Sequence, residues 1–335
     1  MSPDPDPLDP DALDPDTRDW ALARAGARQL LGSHLVQRLW SGYGHVLRLE
    51  LDGGRSVVLK TVDPRSRATH PRGWDGDRGD RRKRRSYEVE AAWYLTRAPG
   101  HDPACRIPRP IAIRVEGERT DLLIEDLGAA YPRRPTRLDE RTVEPCLRWL
   151  AAFHAAHLHD AGDRLWGQGC YWHLHTRPDE LRTMPDGELK RAATALDEAL
   201  RGARHTTLVH GDAKLANFLF TSDGAHVAAV DFQYVGVGVG TRDLAYLLGS
   251  CLCEDTLALH HDRLLDRYDR LLIAELARRR PSIDGVAVAA EWRALHAVAW
   301  ADFQRFLYGW SPGHAKLTGH AQRLTDQALR ELKRA

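Results

Sequence analysis

The chain has 335 residues, a net charge of +1, 43% hydrophobic and 28% charged residues, the make-up of a soluble globular protein long enough for two domains of ~100–200 residues each. The near-neutral balance excludes a global pull towards nucleic acid or an anionic membrane, and no apolar run approaches the ~18 residues of a membrane span. Five cysteines (105, 146, 170, 251, 253) form no CxxC pair, and their odd number points to a reducing, cytoplasmic setting rather than a disulfide framework.

Residues 1–16 alternate Pro and Asp, have little apolar area to bury, and are expected to be a disordered leader. Asp16 or Thr17 would cap a first helix running to about Leu31. From His34 to Val62 the stretches LVQRLW, HVLRLEL and SVVLKTV read as β-strands, with Asp52-Gly53-Gly54 as a hairpin turn. Gly42 and Gly44, between the first two strands, suit either a plain turn or a backbone that approaches a ligand closely. Lys60 ends an apolar run of Val57, Val58 and Leu59. Residues 63–85 form a polar insertion whose basic run, 81–85, reads as the solvated start of a helix rather than a nucleic-acid contact. In the helix that follows, Val89, Ala92 and Trp93 share a face.

Two further strands, IAIRVE and DLLIED, lead to Glu125-Asp126-Leu127, and a Pro- and Arg-rich link follows. Residues 141–159 read as a helix. Of its histidines only His154 and His157 share a face, with no Cys or acid placed beside them, so they read as structural rather than metal-binding. Residues 160–185, with Trp166, Tyr171 and Trp172, read as an irregular loop, and 188–200 as an amphipathic helix. About 255–335 reads as three helices. One of them, 286–310, carries an aromatic stripe (Trp292, His296, Trp300, Phe303, Phe306, Trp310) and a second Asp-Phe-Gln triplet at Asp302. Its helical spacing marks Asp302 as no metal ligand.

The chain is organised around 207–233, TTLVHGDAKLANFLFTSDGAHVAAVDF. The pattern is strand, loop, short strand, Ser-Asp-Gly turn, strand. Asp212 and Asn217 lie on one loop and Asp231 follows the last strand. The spacing His-x-Asp-x-x-x-x-Asn, with Asp-Phe downstream, is that of a kinase catalytic loop and metal-binding segment. One carboxylate orients the attacking hydroxyl; an amide and a second carboxylate hold metal ions on the phosphates.

"HGDAKLANFLF" and "VAAVDFQ" resemble the aminoglycoside phosphotransferase and choline kinase group of small-molecule kinases, and Gln233 after Asp-Phe resembles its ecdysteroid-kinase-like branch. The resemblance implies an α+β, bilobal, protein-kinase-like fold: an antiparallel sheet lobe with one key helix (17–127) and a larger, mainly helical lobe (128–335). It implies an ATP- and Mg²⁺-dependent kinase acting on a hydroxyl of a small molecule, monomeric or homodimeric, without nucleic-acid or membrane partners. Asp212 would be the base, and Lys214 would neutralise charge on the transferring group. Asn217 and Asp231 would hold Mg²⁺. The turn with Gly42 and Gly44 would cover the phosphates, Lys60 would pair with them, and Glu90, or alternatively Glu88, would position Lys60. The backbone at Glu125 and Leu127 would meet adenine, Asp243 would brace the catalytic loop, and Asp302, on a C-terminal helix, would be a candidate for gripping the acceptor. Only twelve residues separate Asp231 from Asp243, and no Ala-Pro-Glu segment follows, which argues against a protein substrate. The alternative is a pseudokinase or nucleotide sensor that binds without transfer.

Overall fold

The structure, a computed structural model, describes residues 7–8, 13–39, 42–64, 77–100 and 102–334. The chain divides into two compact units, Met1–His101 with Ile107–Ala130, and Asp102–Arg106 with Tyr131–Ala335.

The first unit is built on alternation. Strands β1 (Pro7–Leu8), β2 (Leu30–Arg38), β3 (Gly44–Leu51), β4 (Arg55–Val62), β5 (Pro110–Glu116) and β6 (Arg119–Glu125) form an antiparallel sheet in the order β1-β2-β3-β4-β6-β5. On β3 every second residue, Leu47, Leu49 and Leu51, is buried. The register sets Leu47 opposite Leu59 and Leu49 opposite Val57 of β4, so the period of two puts one apolar face on the core. Helix α1 (Pro15–Ala25) covers that face with Ala21. It is shorter than expected. Asp14, not Asp16 or Thr17, caps it by accepting from the Thr17 N–H, and Gly26 closes it in a left-handed cap before β2. The last part of the leader is held rather than solvated: Leu13 is buried in the core, and Asp14 and Asp16 pair with Arg119 and Arg114. Most of the leader lies outside the described residues, as do 65–76 of the insertion. Helix α2 (Asp77–Thr96) begins earlier than the apolar face suggested. The basic run lies on its first half, where Arg84 pairs with Asp80 and Arg85 with Glu88.

The second unit is mainly helical: α3 (Glu144–Ala156), α4 (Pro178–Thr183), α5 (Glu188–Arg191), α6 (Ala193–Arg201), α7 (Thr241–Cys251), α8 (Glu254–Arg279), α9 (Gly285–Ala294), α10 (His296–Trp310) and α11 (Gly319–Leu332). Two small antiparallel pairs complete it, β7 (Thr207–Val209) with β10 (Gly236–Gly238) and β8 (Phe218–Phe220) with β9 (Val227–Ala229). Helix α3 is buried along nearly its whole length. The helix expected over 141–159 is trimmed at both ends. Asp139 captures the N–H groups of Arg141 and Thr142 ahead of it, and beyond it the His159 N–H bonds the Thr206 carbonyl with His159 at a positive φ. The single helix expected over 286–310 is two, broken at Leu295, so the C-terminal part carries four helices rather than three. The break divides the aromatic stripe. Trp292 packs on His154, Trp300 on His261 and His320, and Phe303, Phe306 and Trp310 on a cluster with Tyr171, Trp172 and Tyr246. The helix expected over 188–200 is likewise two, broken at Ala192.

Candidate active site

The 207–233 segment folds as its pattern demands. Strand β7 delivers His210 and Gly211. Gly211 has φ +77°, and a Cβ there would lie 2.1 Å from the Tyr234 carbonyl oxygen, so glycine alone fits this turn. His210 is buried. Its Nε2 donates to the Val230 carbonyl at 3.1 Å, and its Nδ1 accepts from the Asp212 N–H at 3.3 Å, which sets the tautomer. From α7, Asp243 accepts the N–H groups of His210 (2.5 Å) and Gly211 (2.9 Å). Behind it His154 Nε2 lies 3.2 Å from Asp243 and its Nδ1 2.6 Å from the Tyr268 hydroxyl. All three side chains are buried. A chain of satisfied buried polar groups of this kind holds a loop in one geometry. Trp149 of α3 packs against the same loop, stacked on Phe153 at 4.8 Å and edge-on to Phe218 at 5.5 Å, with its N–H on the Arg106 carbonyl at 2.9 Å.

The structure brings Asp212, Asn217 and Asp231 together. Asn217 lies on a 3-10 turn, Leu215–Asn217. Its amide nitrogen donates to the Asp212 carbonyl (2.8 Å) and to Asp212 Oδ2 (3.1 Å), which leaves its amide oxygen for another partner. The Val230 N–H bonds the Asn217 carbonyl at 3.0 Å, which sets Asp231 beside the loop, at a φ of 71° that a non-glycine residue seldom adopts. Gln233 donates to Asp231 Oδ1 at 2.5 Å. Lys214 Nζ lies 2.8 Å from Asp212 Oδ2, while Asp212 Oδ1 is buried with no hydrogen-bond partner. Burial pushes the Asp212 carboxyl above its ordinary range, and the Asp231 charge adds to this against the pull of Lys214. Burial alone would lower Lys214, but Asp212, together with Asp231 and Tyr234, raises the amine. An orphaned carboxylate oxygen among oxygen donors fits a hard divalent cation. Among the described residues no group of three or more His, Cys, Asp and Glu is placed to hold a metal ion; the set here is two acids and an amide.

In the first unit, Lys60 and Glu90 are both buried and pair at 2.6 Å. Glu88 points to solvent and bonds Arg85. The helix phase thus selects Glu90, which shares the buried face with Tyr87 and Tyr94. Gly42 has φ 72°. Gly44 has a reason of its own to be glycine: a Cβ there would lie 2.0 Å from the Thr61 carbonyl oxygen, so close packing on β4 demands it. Glu125 ends β6 and accepts from the Arg109 N–H at 3.0 Å; Leu127 is buried. Between them Asp126 takes Ser56 (2.7 Å) and Arg48 (2.8 Å), a role for which the sequence carried no signal.

Asp302 is helical, as its spacing predicts, and fully buried. It pairs with Arg305 at 2.9 Å and Arg242 at 3.5 Å, one carboxylate set between two buried guanidinium groups. Sequence reasoning missed Lys316, in the loop after α10, whose ammonium lies 4.5 Å from the Tyr246 ring centre. No pattern in a Gly- and Pro-containing loop marks one lysine for burial.

A small antiparallel sheet unit with a Lys–Glu pair, and a helical unit with a His-x-Asp loop braced from the next helix, define a kinase-like phosphotransferase architecture. The sequence matches the "Phosphotransferase enzyme family" (APH) over residues 36–282, and the chain belongs to that family. Its fold is similar to that of the amicoumacin kinase hAmiN, solved with AMP-PNP, Ca²⁺ and Ami (13% identity, 96% of this chain and 94% of that one, TM-score 0.50). It is similar also to choline kinase from Cryptosporidium parvum Iowa II (11% identity, 90% and 89%, TM-score 0.51). The expected α+β kinase-like fold is thereby met. No curated protein matches the sequence.

Proposed function

We propose that the protein is an ATP- and Mg²⁺-dependent phosphotransferase that moves the γ-phosphate to a hydroxyl of a small molecule, and that Gln233 marks it as a member of the ecdysteroid-kinase-like branch. The observation that carries this is the buried, unpartnered Oδ1 of Asp212, set among the oxygen donors of Asn217 and Asp231. Asp212 orients the acceptor hydroxyl and takes its proton as the oxygen attacks the γ-phosphorus and the β–γ bridging P–O bond breaks, releasing ADP. Asn217 and Asp231 would hold Mg²⁺ through oxygen, as a hard cation prefers, and the ion would supply neutralising charge to the phosphate oxygens. Lys214, already on Asp212, carries a raised pKa and stays protonated to stabilise charge on the transferring group. Lys60, steadied by Glu90, pairs with the α- and β-phosphates, with the Gly42–Gly44 turn and the backbone at Glu125 and Leu127 completing the nucleotide site.

Acceptor-dependent ADP release, measured over a panel of hydroxylated metabolites and antibiotics with the phosphate then located by mass spectrometry, tests the reading. Tight Mg·ATP binding without release on any acceptor would point to a nucleotide sensor.

A further inference from the structure

Asp231 holds a left-handed backbone conformation, with φ at 71°. A residue with a side chain stays there only where its surroundings leave it no alternative. On the upstream side the transfer loop itself supplies the hold: the Val230 N–H bonds the Asn217 carbonyl at 3.0 Å, and the Val230 carbonyl accepts from His210 at 3.1 Å. On the downstream side the hold comes from residues distant in the chain, within 162–171.

The Trp166 indole N–H donates to the Gln233 carbonyl at 2.8 Å. The Trp166 backbone N–H donates to the Val235 carbonyl at 3.2 Å, and its carbonyl accepts the Val237 N–H at 3.0 Å, a parallel bridge to Gly236. The Gly169 N–H bonds the Val237 carbonyl at 2.8 Å and the Cys170 N–H the Tyr234 carbonyl at 3.1 Å. One residue on, the Tyr171 N–H bonds the carbonyl of Gly211, next to Asp212, at 3.1 Å. The segment thus ties the backbone after Asp231 to the turn before Asp212. The fit is close. A Cβ on Gly236 would lie 2.1 Å from the Trp166 carbonyl oxygen, and one on Gly169 2.7 Å from the Gly236 carbonyl oxygen, so the two backbones meet with no side chain between them. Trp166 makes three of these bonds, one of them through its side chain. Gln233, whose carbonyl the indole holds, donates through its own side chain to Asp231 Oδ1 at 2.5 Å. Indole, Gln233 and carboxylate form one line of hydrogen bonds, which fixes the rotation of the Asp231 side chain.

Resting on the kinase reading above, we propose that Trp166 is a positioning residue for the metal ligand: by fixing Gln233 it holds the Asp231 carboxylate in the orientation that would receive Mg²⁺.

The test uses the full chain. Trp166→Phe keeps a ring at this position and loses the indole N–H; Gln233→Leu keeps the backbone carbonyl and loses the bond to Asp231. Calorimetry reads AMP-PNP affinity with and without Mg²⁺, and electron paramagnetic resonance reads Mn²⁺ binding in the presence of AMP-PNP. Trp166→Phe is expected to bind Mg·AMP-PNP about 3- to 10-fold more weakly, the range of one hydrogen bond. It should need more Mn²⁺ for half-saturation by a similar factor, while metal-free AMP-PNP binds as in wild type. Because the indole acts through Gln233, the double variant should lose no more than Gln233→Leu alone. An unchanged metal dependence in Trp166→Phe overturns the inference, and so does full additivity in the double variant. An equal loss with and without metal, or a Trp166→Phe that circular dichroism shows to be unfolded, would mark a structural role and overturn it too. Wild-type protein separates the two readings. If it binds AMP-PNP in a Mg²⁺-dependent way that Trp166→Phe does not alter, only the Trp166 assignment falls; if it binds no Mg·AMP-PNP, the kinase reading falls first and this one with it.

Discussion

Asp212 holds two properties that pull in opposite directions. Its carboxyl is buried beside a second carboxylate, which raises its pKa, yet one oxygen is fixed by Lys214 and Asn217 while the other is left without a partner. A fixed, partly unsatisfied carboxylate is suited to receive a proton from a hydroxyl held beside it. Asp212→Ala is expected to lower kcat by about 10²–10⁴-fold with little change in Mg·ATP affinity. Stopped-flow turnover and calorimetric nucleotide binding on the same sample check this, and a fully active variant removes the assignment. Asp231→Ala should instead weaken Mg·ATP binding as well as turnover. Unchanged calorimetric affinity for Mg·ATP would take Asp231 out of the metal set. Lys60 and Glu90 bury opposite charges at 2.6 Å, so removing one strands the other and costs more than the pair contributes. Glu90→Ala is accordingly expected to raise the KM for ATP and to lower the urea midpoint, whereas Glu88→Ala, at an exposed position, should do neither.

At the scale of elements, the two glycines with tight surroundings show how strand and loop are joined. Gly44 lets β3 start against β4 with no side chain between them, and Gly211 lets the loop after β7 turn beneath Tyr234. Gly44→Ala is expected to destabilise the sheet unit by about 1–3 kcal/mol, because the methyl group meets backbone that cannot yield; urea denaturation followed by circular dichroism reads it. Helix α3 supplies the platform for the loop. His154 and Trp149, five residues apart, reach Asp243 and the Phe218 ring respectively, so two different faces of this buried helix position the brace and the floor of the site. Of the histidines of 141–159, His154 is buried between Asp243 and Tyr268, and His159 pairs with His205 at the surface.

Across the helical unit, a buried set of three histidines is expected to contribute to the pH dependence of stability. His261 Nε2 lies 3.0 Å from His296 Nε2, His296 bonds Thr241 at 2.6 Å, and His320 packs on His261 at 4.8 Å between ring centres. Burial pulls His261 down from 6.5 to about 3 and His296 well below its ordinary value. The unfolded chain therefore takes up protons first. Stability is complete above pH 6.5 and falls as the pH drops towards 3, by at most about 1.4 kcal/mol per pH unit for each of the two. Thermal melts between pH 7 and 5, above the range in which most carboxylates titrate, should show a falling Tm, with a shallower slope in His261→Leu. Parallel slopes would assign the loss to other groups. Among the described residues no helix is long and apolar enough to cross a membrane.

The motif around 207–233 was legible because its chemistry is local. Asp212 and Asn217 sit on one loop, and a single hairpin returns Asp231 to it, so spacing along the chain already sets proximity in space. The strands were legible for the same reason: period-two burial on β3 follows from pleating. Where two answers were open, Glu88 or Glu90, the phase of α2 against the sheet chose between them. The break at Leu295, the burial of Asp302 between two arginines and the seat of Lys316 depend on contacts between segments distant in the chain. An unbroken helical pattern runs through 286–310 whether or not a turn re-aims it, and a lysine in a loop looks solvated until aromatic rings from α7 and α10 close around it. The sequence by itself determined the strands and the transfer loop, whose partners are near in the chain. Only tertiary packing decided which charged side chains are buried and what they pair with, because desolvation and long-range charge act through space and leave no periodic trace in the sequence.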